Sequence, residues 1–165
     1  MKTTRQFALA ITIAAGLAVC GVLAQTPKAP PAPERPRDAV ALGRYLVQTT
    51  GCNDCHTPGY MASAGRVAET QWLTGDSLGW RGPWGTTYAT NLRLYFARIT
   101  EAQWLAHARA MEPRPPMPWF NLRAMSDTDL SAIYRYIQAA GPAGEPAPAW
   151  LPPGKTPAGP FVQFP

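Results

Sequence analysis

A helical domain with extended, proline-rich ends is what this chain of 165 residues predicts. Two segments in its second half pair a side-chain cap with apolar residues at helical spacing. A third segment with apolar residues on overlapping faces, opened near Pro36, runs into a Cys-x-x-Cys-His pentapeptide. The stretches 25–36 and 142–165 hold five and eight prolines, too many for a helix interior or a central strand. No β-α alternation and no internal repeat is visible, and the length suits one domain of ordinary size.

The chain opens on Lys2 and Arg5, continues as an uncharged apolar run from Phe7 to Ala24, and closes that run with the small-residue signal Val22-Leu23-Ala24. This is the pattern of a secretory signal peptide over residues 1–24, which places the mature protein in the periplasm. A retained anchor is the alternative, since the run sits at the short limit for spanning a bilayer, and membrane contact is expected only in that case. Cys20 lies inside the run and leaves with it; Val19 before it is a poor residue for a lipoprotein signal. Residues 25–36 then form a polyproline-like linker. The formal charge is +5 with a pI near 9.4, and about +3 remains once Lys2 and Arg5 are removed. The basic residues are mostly isolated arginines, which argues against a nucleic-acid partner.

The first helix begins near Pro36 or Arg37, where proline suits a first helical turn. Val40, Gly43, Tyr45 and Leu46 lie on its overlapping faces, and it ends before Gly51. Next comes Cys52-Asn53-Asp54-Cys55-His56, a complete C-x-x-C-H. Two thiols flanking two residues reach the edge of one porphyrin, and the adjacent imidazole then reaches the iron, so the pentapeptide reads as covalent attachment of haem c. One such motif implies one haem. A zinc site needs two more ligands and finds only Cys20 and His107; a redox dithiol would want a strand before it and a β-α pattern after it. With both mature cysteines given to haem, the domain is held by its core and its cofactor.

Residues 59–98 show no strong period. Gly75, Gly79, Gly82 and Gly85 with Trp72, Trp80 and Trp84 suggest loops wrapped round a large apolar object, and a haem is one. The second helix starts at Thr100, with Gln103 completing a capping box, carries Trp104, Leu105, Ala108 and Met111, and stops at Pro113. The third is capped by Ser126 and Asp129, shows Leu130, Ile133, Tyr134 and Ile137 at i, i+3, i+4, i+7, and stops at Gly141-Pro142. In the tail, Trp150, Leu151, Phe161 and Phe164 favour an extended strap packed on the domain over a disordered end.

What occupies the sixth position of the iron decides between electron transfer and ligand chemistry. The candidates are Met61, Met111, Met117, Met125 and His107. Met61 is only five residues from His56 and cannot easily reach the opposite face. Met117 sits in Arg114-Pro115-Pro116-Met117-Pro118-Trp119-Phe120, where prolines on both sides stiffen a loop that can present one thioether. Trp119 and Phe120 would cover the haem face. A Met used as an apolar gap-filler is the plain alternative. Arg81, in the Gly/Trp stretch, is the candidate partner for a haem propionate, against the alternative of a solvated arginine.

An N-terminal helix running into C-x-x-C-H, a proline-flanked loop Met and a C-terminal amphipathic helix resemble the class I c-type cytochromes of bacteria. The resemblance covers roughly Arg37 to Gly141, so 37–141 is the expected domain and 142–165 its tail. Gly43, Tyr45 and Tyr134 stand where that family crosses its terminal helices. Gly-Trp-Arg-Gly-Pro-Trp-Gly (79–85), Tyr88-Ala-Thr-Asn91-Leu, and Met117-Pro-Trp-Phe-Asn-Leu with Met125-Ser-Asp resemble the cytochrome modules of periplasmic dehydrogenases. The resemblance implies an all-α, cytochrome c-like fold of three or more helices around one covalently bound haem, with His56 and Met117 as axial ligands. It implies one-electron transfer rather than an enzyme's turnover, with a dehydrogenase or a terminal oxidase as redox partner. The proline-rich ends depart from the short soluble members. Two rivals remain at this point: a haem-based sensor or peroxidase-like enzyme with an open sixth position, and a non-haem interaction module tethered by its ends.

Overall fold

A computed structural model describes residues 34–165; the signal peptide expected over 1–24, with Cys20, and most of the 25–36 linker lie outside the described residues. Asp38 caps the first helix, α1 (Ala39–Thr49), by accepting the Ala41 amide at 2.8 Å. Gly51 takes a left-handed conformation at φ 78° and turns the chain into α2 (Cys52–His56). A single 3-10 turn, Glu69–Gln71, precedes a hairpin of β1 (Gly79–Gly82) and β2 (Gly85–Tyr88). Four helices follow: α3 (Leu92–Phe96), α4 (Glu101–Ala110), α5 (Trp119–Ala124) and α6 (Asp127–Ala140). The last element is β3 (Phe161–Gln163).

The caps expected of α4 and α6 are formed. Thr100 and Gln103 bond reciprocally, and Ser126 accepts the Asp129 amide. α1 packs across α6 at Gly43, where the backbones nearly touch. A Cβ there would collide with the Ala132 carbonyl and stand 2.7 Å from Tyr136 Cβ. Leu42, Leu46 and Val47 of α1 thus share one core with Leu130, Ile133 and Ile137 of α6. Phe96 and Trp104 join it with ring centroids 4.7 Å apart, and the Trp104 indole donates to the Leu130 carbonyl at 2.9 Å. Tyr134 turns the other way, toward Phe96, with its hydroxyl on the Ile99 carbonyl. At the crossing itself, α6 therefore contributes Ala132 and Tyr136.

Arg93 is buried without a carboxylate partner among the described residues. Its guanidinium donates to the Ala140 and Gly141 carbonyls, where the negative end of the α6 dipole receives it.

The sheet is what periodicity did not reveal. β1 pairs antiparallel with β2, Gly79 opposite Tyr88, and parallel with β3, Gly79 opposite Phe161, giving the order β2-β1-β3. Its strands are three or four residues long, too short to show alternation. The tail supplies β3, and Leu151 bridges Thr86 on the free edge of β2. Phe164 packs near Trp84 at 5.5 Å and Trp80 at 6.1 Å. The aromatic tail is therefore a strap lying on the hairpin.

Candidate functional site

In the one-turn helix α2, Cys52 and Cys55 are three residues apart, which puts both thiols on one face. Both are half-buried free thiols, and burial pushes each thiol's pKa up. That is the reverse of a redox dithiol, whose attacking thiol is held low. The turn is anchored from below. Asn53, fully buried, accepts the Thr57 hydroxyl at 2.7 Å. Thr57 in turn accepts the Leu73 amide at 2.8 Å, and the Gly75 amide bonds the His56 carbonyl at 2.8 Å.

His56 Nδ1 lies 2.7 Å from the Thr90 carbonyl. A carbonyl only accepts, so Nδ1 carries the proton and Nε2 keeps its lone pair. Burial pulls the His56 pKa down against the opposing pull of the Thr90 carbonyl, which keeps the ring neutral. A neutral imidazole, oriented through its other nitrogen, is the form that ligates a metal.

Met117 is half-buried against the core, and so are Met111 and Met125. Met61 is 54% exposed, and the exposed His107 ring is engaged through Nδ1 with the Tyr95 hydroxyl. The Met117 segment is held by the same hairpin that serves His56. Thr87 of β2 donates its hydroxyl to the Pro115 carbonyl at 2.7 Å, while Thr90, just past β2, holds the His56 ring. Trp119 opens α5 half-buried under the Arg123 guanidinium at 4.3 Å, and its neighbour Phe120 is 59% exposed.

Arg81 lies on β1 with its guanidinium 5.4 Å from the Phe161 ring and no carboxylate partner among the described residues. On the other face of β1, where Phe164 packs, the buried Trp80 indole N–H has no acceptor. A buried donor without a partner is costly, but successive strand residues face opposite ways, so this N–H does not share a pocket with the Arg81 guanidinium. The donor set therefore fits a haem: two thiols on one face, a neutral imidazole with Nε2 free, a half-buried thioether, and an arginine without a carboxylate partner among the described residues. Sequence reasoning missed Thr87 and Thr90 as site residues, because which carbonyl faces the imidazole and which hydroxyl holds the Met117 segment emerges only from tertiary packing. A cleft of about 400 Å³ near Glu69, Arg93 and Tyr136 lies apart from these groups. Among the described residues no helix is long and apolar enough to cross a membrane.

The family described as Cytochrome c matches residues 40–141, more than half of the chain. A curated relative, one of the subunits of nicotinate dehydrogenase from Pseudomonas putida, is 29% identical over 118 residues, covering 65% of this chain. The match takes up only 9% of that protein's length. No solved structure matches significantly.

Proposed function

The chain belongs to the cytochrome c family, and from that membership we propose that it is an exported mono-haem carrier of single electrons serving a periplasmic dehydrogenase. The family makes it an electron-transfer haem protein. Bound haem supplies an iron that alternates between ferrous and ferric states. This chain's residues do the rest. Cys52 and Cys55 would tether the group, Thr90 keeps the proton on Nδ1 so that His56 would offer Nε2, and Met117 would offer a thioether. Arg81 would receive a propionate, and Trp119 would keep water from the group. A thioether ligand favours the ferrous state.

The observation that carries this reading is the His56–Thr90 hydrogen bond inside a C-x-x-C-H helix, which fixes a neutral, metal-ready imidazole beside two unpaired thiols. The dehydrogenase as partner is supported by the similarity to a stretch of a dehydrogenase subunit. The weak, scattered surface charge suits brief docking with a redox partner.

Met117→Ala tests the ligand assignment. The ferric holoprotein should lose its sulfur-to-iron charge-transfer band, bind cyanide readily, and fall in potential. Met111→Leu, Met125→Leu and His107→Ala should leave all three unchanged. Wild-type protein that already binds CO freely refutes the carrier reading in favour of a sensor or peroxidase-like enzyme.

A further inference from the structure

The strap beyond α6 reaches the loop that carries Met117. The Arg114 guanidinium lies 4.0 Å over the Trp150 ring, and the Trp150 indole donates to the Trp84 carbonyl at 3.0 Å. Leu151 is bonded to Thr86 in both directions, at 2.8 and 3.0 Å. One residue further along β2, Thr87 donates to the Pro115 carbonyl. The strap lies against the β2 backbone there, close enough that a Cβ on Gly85 would run into the Leu151 carbonyl. Arg114 has no carboxylate partner among the described residues, so the indole face is what holds it. Three residues of the Arg114–Met117 segment are imino acids or the Met itself, so fixing Arg114 at one end and Pro115 beside it restricts the whole loop.

We infer that Trp150 and Arg114 are positioning residues that latch the Met117 loop against the β1–β2 hairpin, so that the tail governs how often the thioether leaves the iron. The inference rests on Met117 as the axial ligand. An external ligand binds only when the loop is open, so its apparent affinity rises in proportion to the open fraction. Removing the stacking and the indole hydrogen bond together should raise that fraction about five- to tenfold.

The test is cyanide titration of the full-length ferric holoprotein. Trp150→Ala and Arg114→Gln should each bind cyanide more tightly than wild type, the first by about five- to tenfold. Their effects should not add in the double variant, because both break one contact. Trp150→Phe keeps a stacking face and should recover much of the loss. On heating, the charge-transfer band should be lost ahead of the helical circular dichroism, and by a wider temperature margin in Trp150→Ala than in wild type. Val162→Ala, elsewhere on the strap, should lower the unfolding temperature without changing cyanide affinity. If Met117→Ala binds cyanide tightly while Trp150→Ala and Arg114→Gln match wild type, the latch is overturned and the ligand assignment stands. If Met117→Ala also matches wild type, the ligand assignment fails and the latch with it.

Discussion

Gly43→Ala should destabilise the protein although alanine is the better helix former. The added methyl gains about 1 kcal/mol of helix propensity. Against this, its Cβ would stand 2.6 Å from the Ala132 carbonyl carbon and 2.7 Å from Tyr136 Cβ. Ordinary carbon contacts lie near 3.5–4.0 Å, so the crossing must open by roughly 1 Å. The obstacle at Ala132 is helix backbone, which cannot rotate away as a side-chain tip can. A gap of that size forfeits about a quarter to a half of each contact well. Val47, Leu130, Ile133 and Ile137 are 0–3% exposed and pack at or beside the crossing. A quarter of about 2 kcal/mol lost at each, plus strain at the contact, gives about 3 kcal/mol. The net cost is then about 2 kcal/mol, or roughly 8 °C in unfolding temperature for a domain of this size. Urea and thermal unfolding of the holoprotein, followed by helical circular dichroism, measure it. A Gly43→Ala variant as stable as wild type would refute the close crossing, and Gly43→Val should be worse than either.

Cys52→Ala or Cys55→Ala should leave little stable holoprotein on export, because much of the core is completed by the bound group; a double Ala variant that folds normally without haem would sink the cytochrome reading. Tyr136, buried and donating to Glu69 at 2.9 Å, has its pKa raised first by burial and then by that bond. The folded state keeps a proton that the unfolded chain gives up near pH 10, so this stability is complete below about pH 10 and declines as pH rises above it. Tyr136→Phe should lower stability by about 1 kcal/mol at neutral pH and flatten the alkaline decline in urea midpoint; an unchanged decline would assign it to another group.

How much was legible follows from where each signal resides. α4 and α6 announce themselves locally: Thr100 with Gln103, and Ser126 with Asp129, are caps whose partners lie three residues away. C-x-x-C-H is equally local, since α2 brings Cys52 and Cys55 to one face by itself. The sheet is not local. Arg81 meets Gln163 across 82 positions, and no short-range pattern encodes that pairing. α5 escaped notice because Pro118 at its N-cap offers no capping side chain and six residues show no period. Trp80 could be seen as an aromatic among glycines, but not as a buried N–H lacking an acceptor.

The family match ends at residue 141, where the proline-rich tail begins, yet the tail completes the structure that holds both proposed ligands. β2 and the residues just after it carry Thr87 and Thr90, and through them the Met117 loop and the His56 ring. A two-stranded hairpin of four-residue strands is marginal alone in water. Here β3 pairs with β1 on one side while Leu151 bridges Thr86 on the other, so the tail covers both open edges. Proline is well suited to such a cover, because it pre-extends the strap and cannot donate to any strand beyond the few residues that do pair. The α1–α6 core therefore fixes the thiols and the imidazole through short-range helix chemistry, while the hairpin that orients the imidazole and the thioether loop depends on a segment sixty or more residues downstream. Local unfolding should accordingly begin at the strap and the Met117 loop, and reach α1 and α6 last.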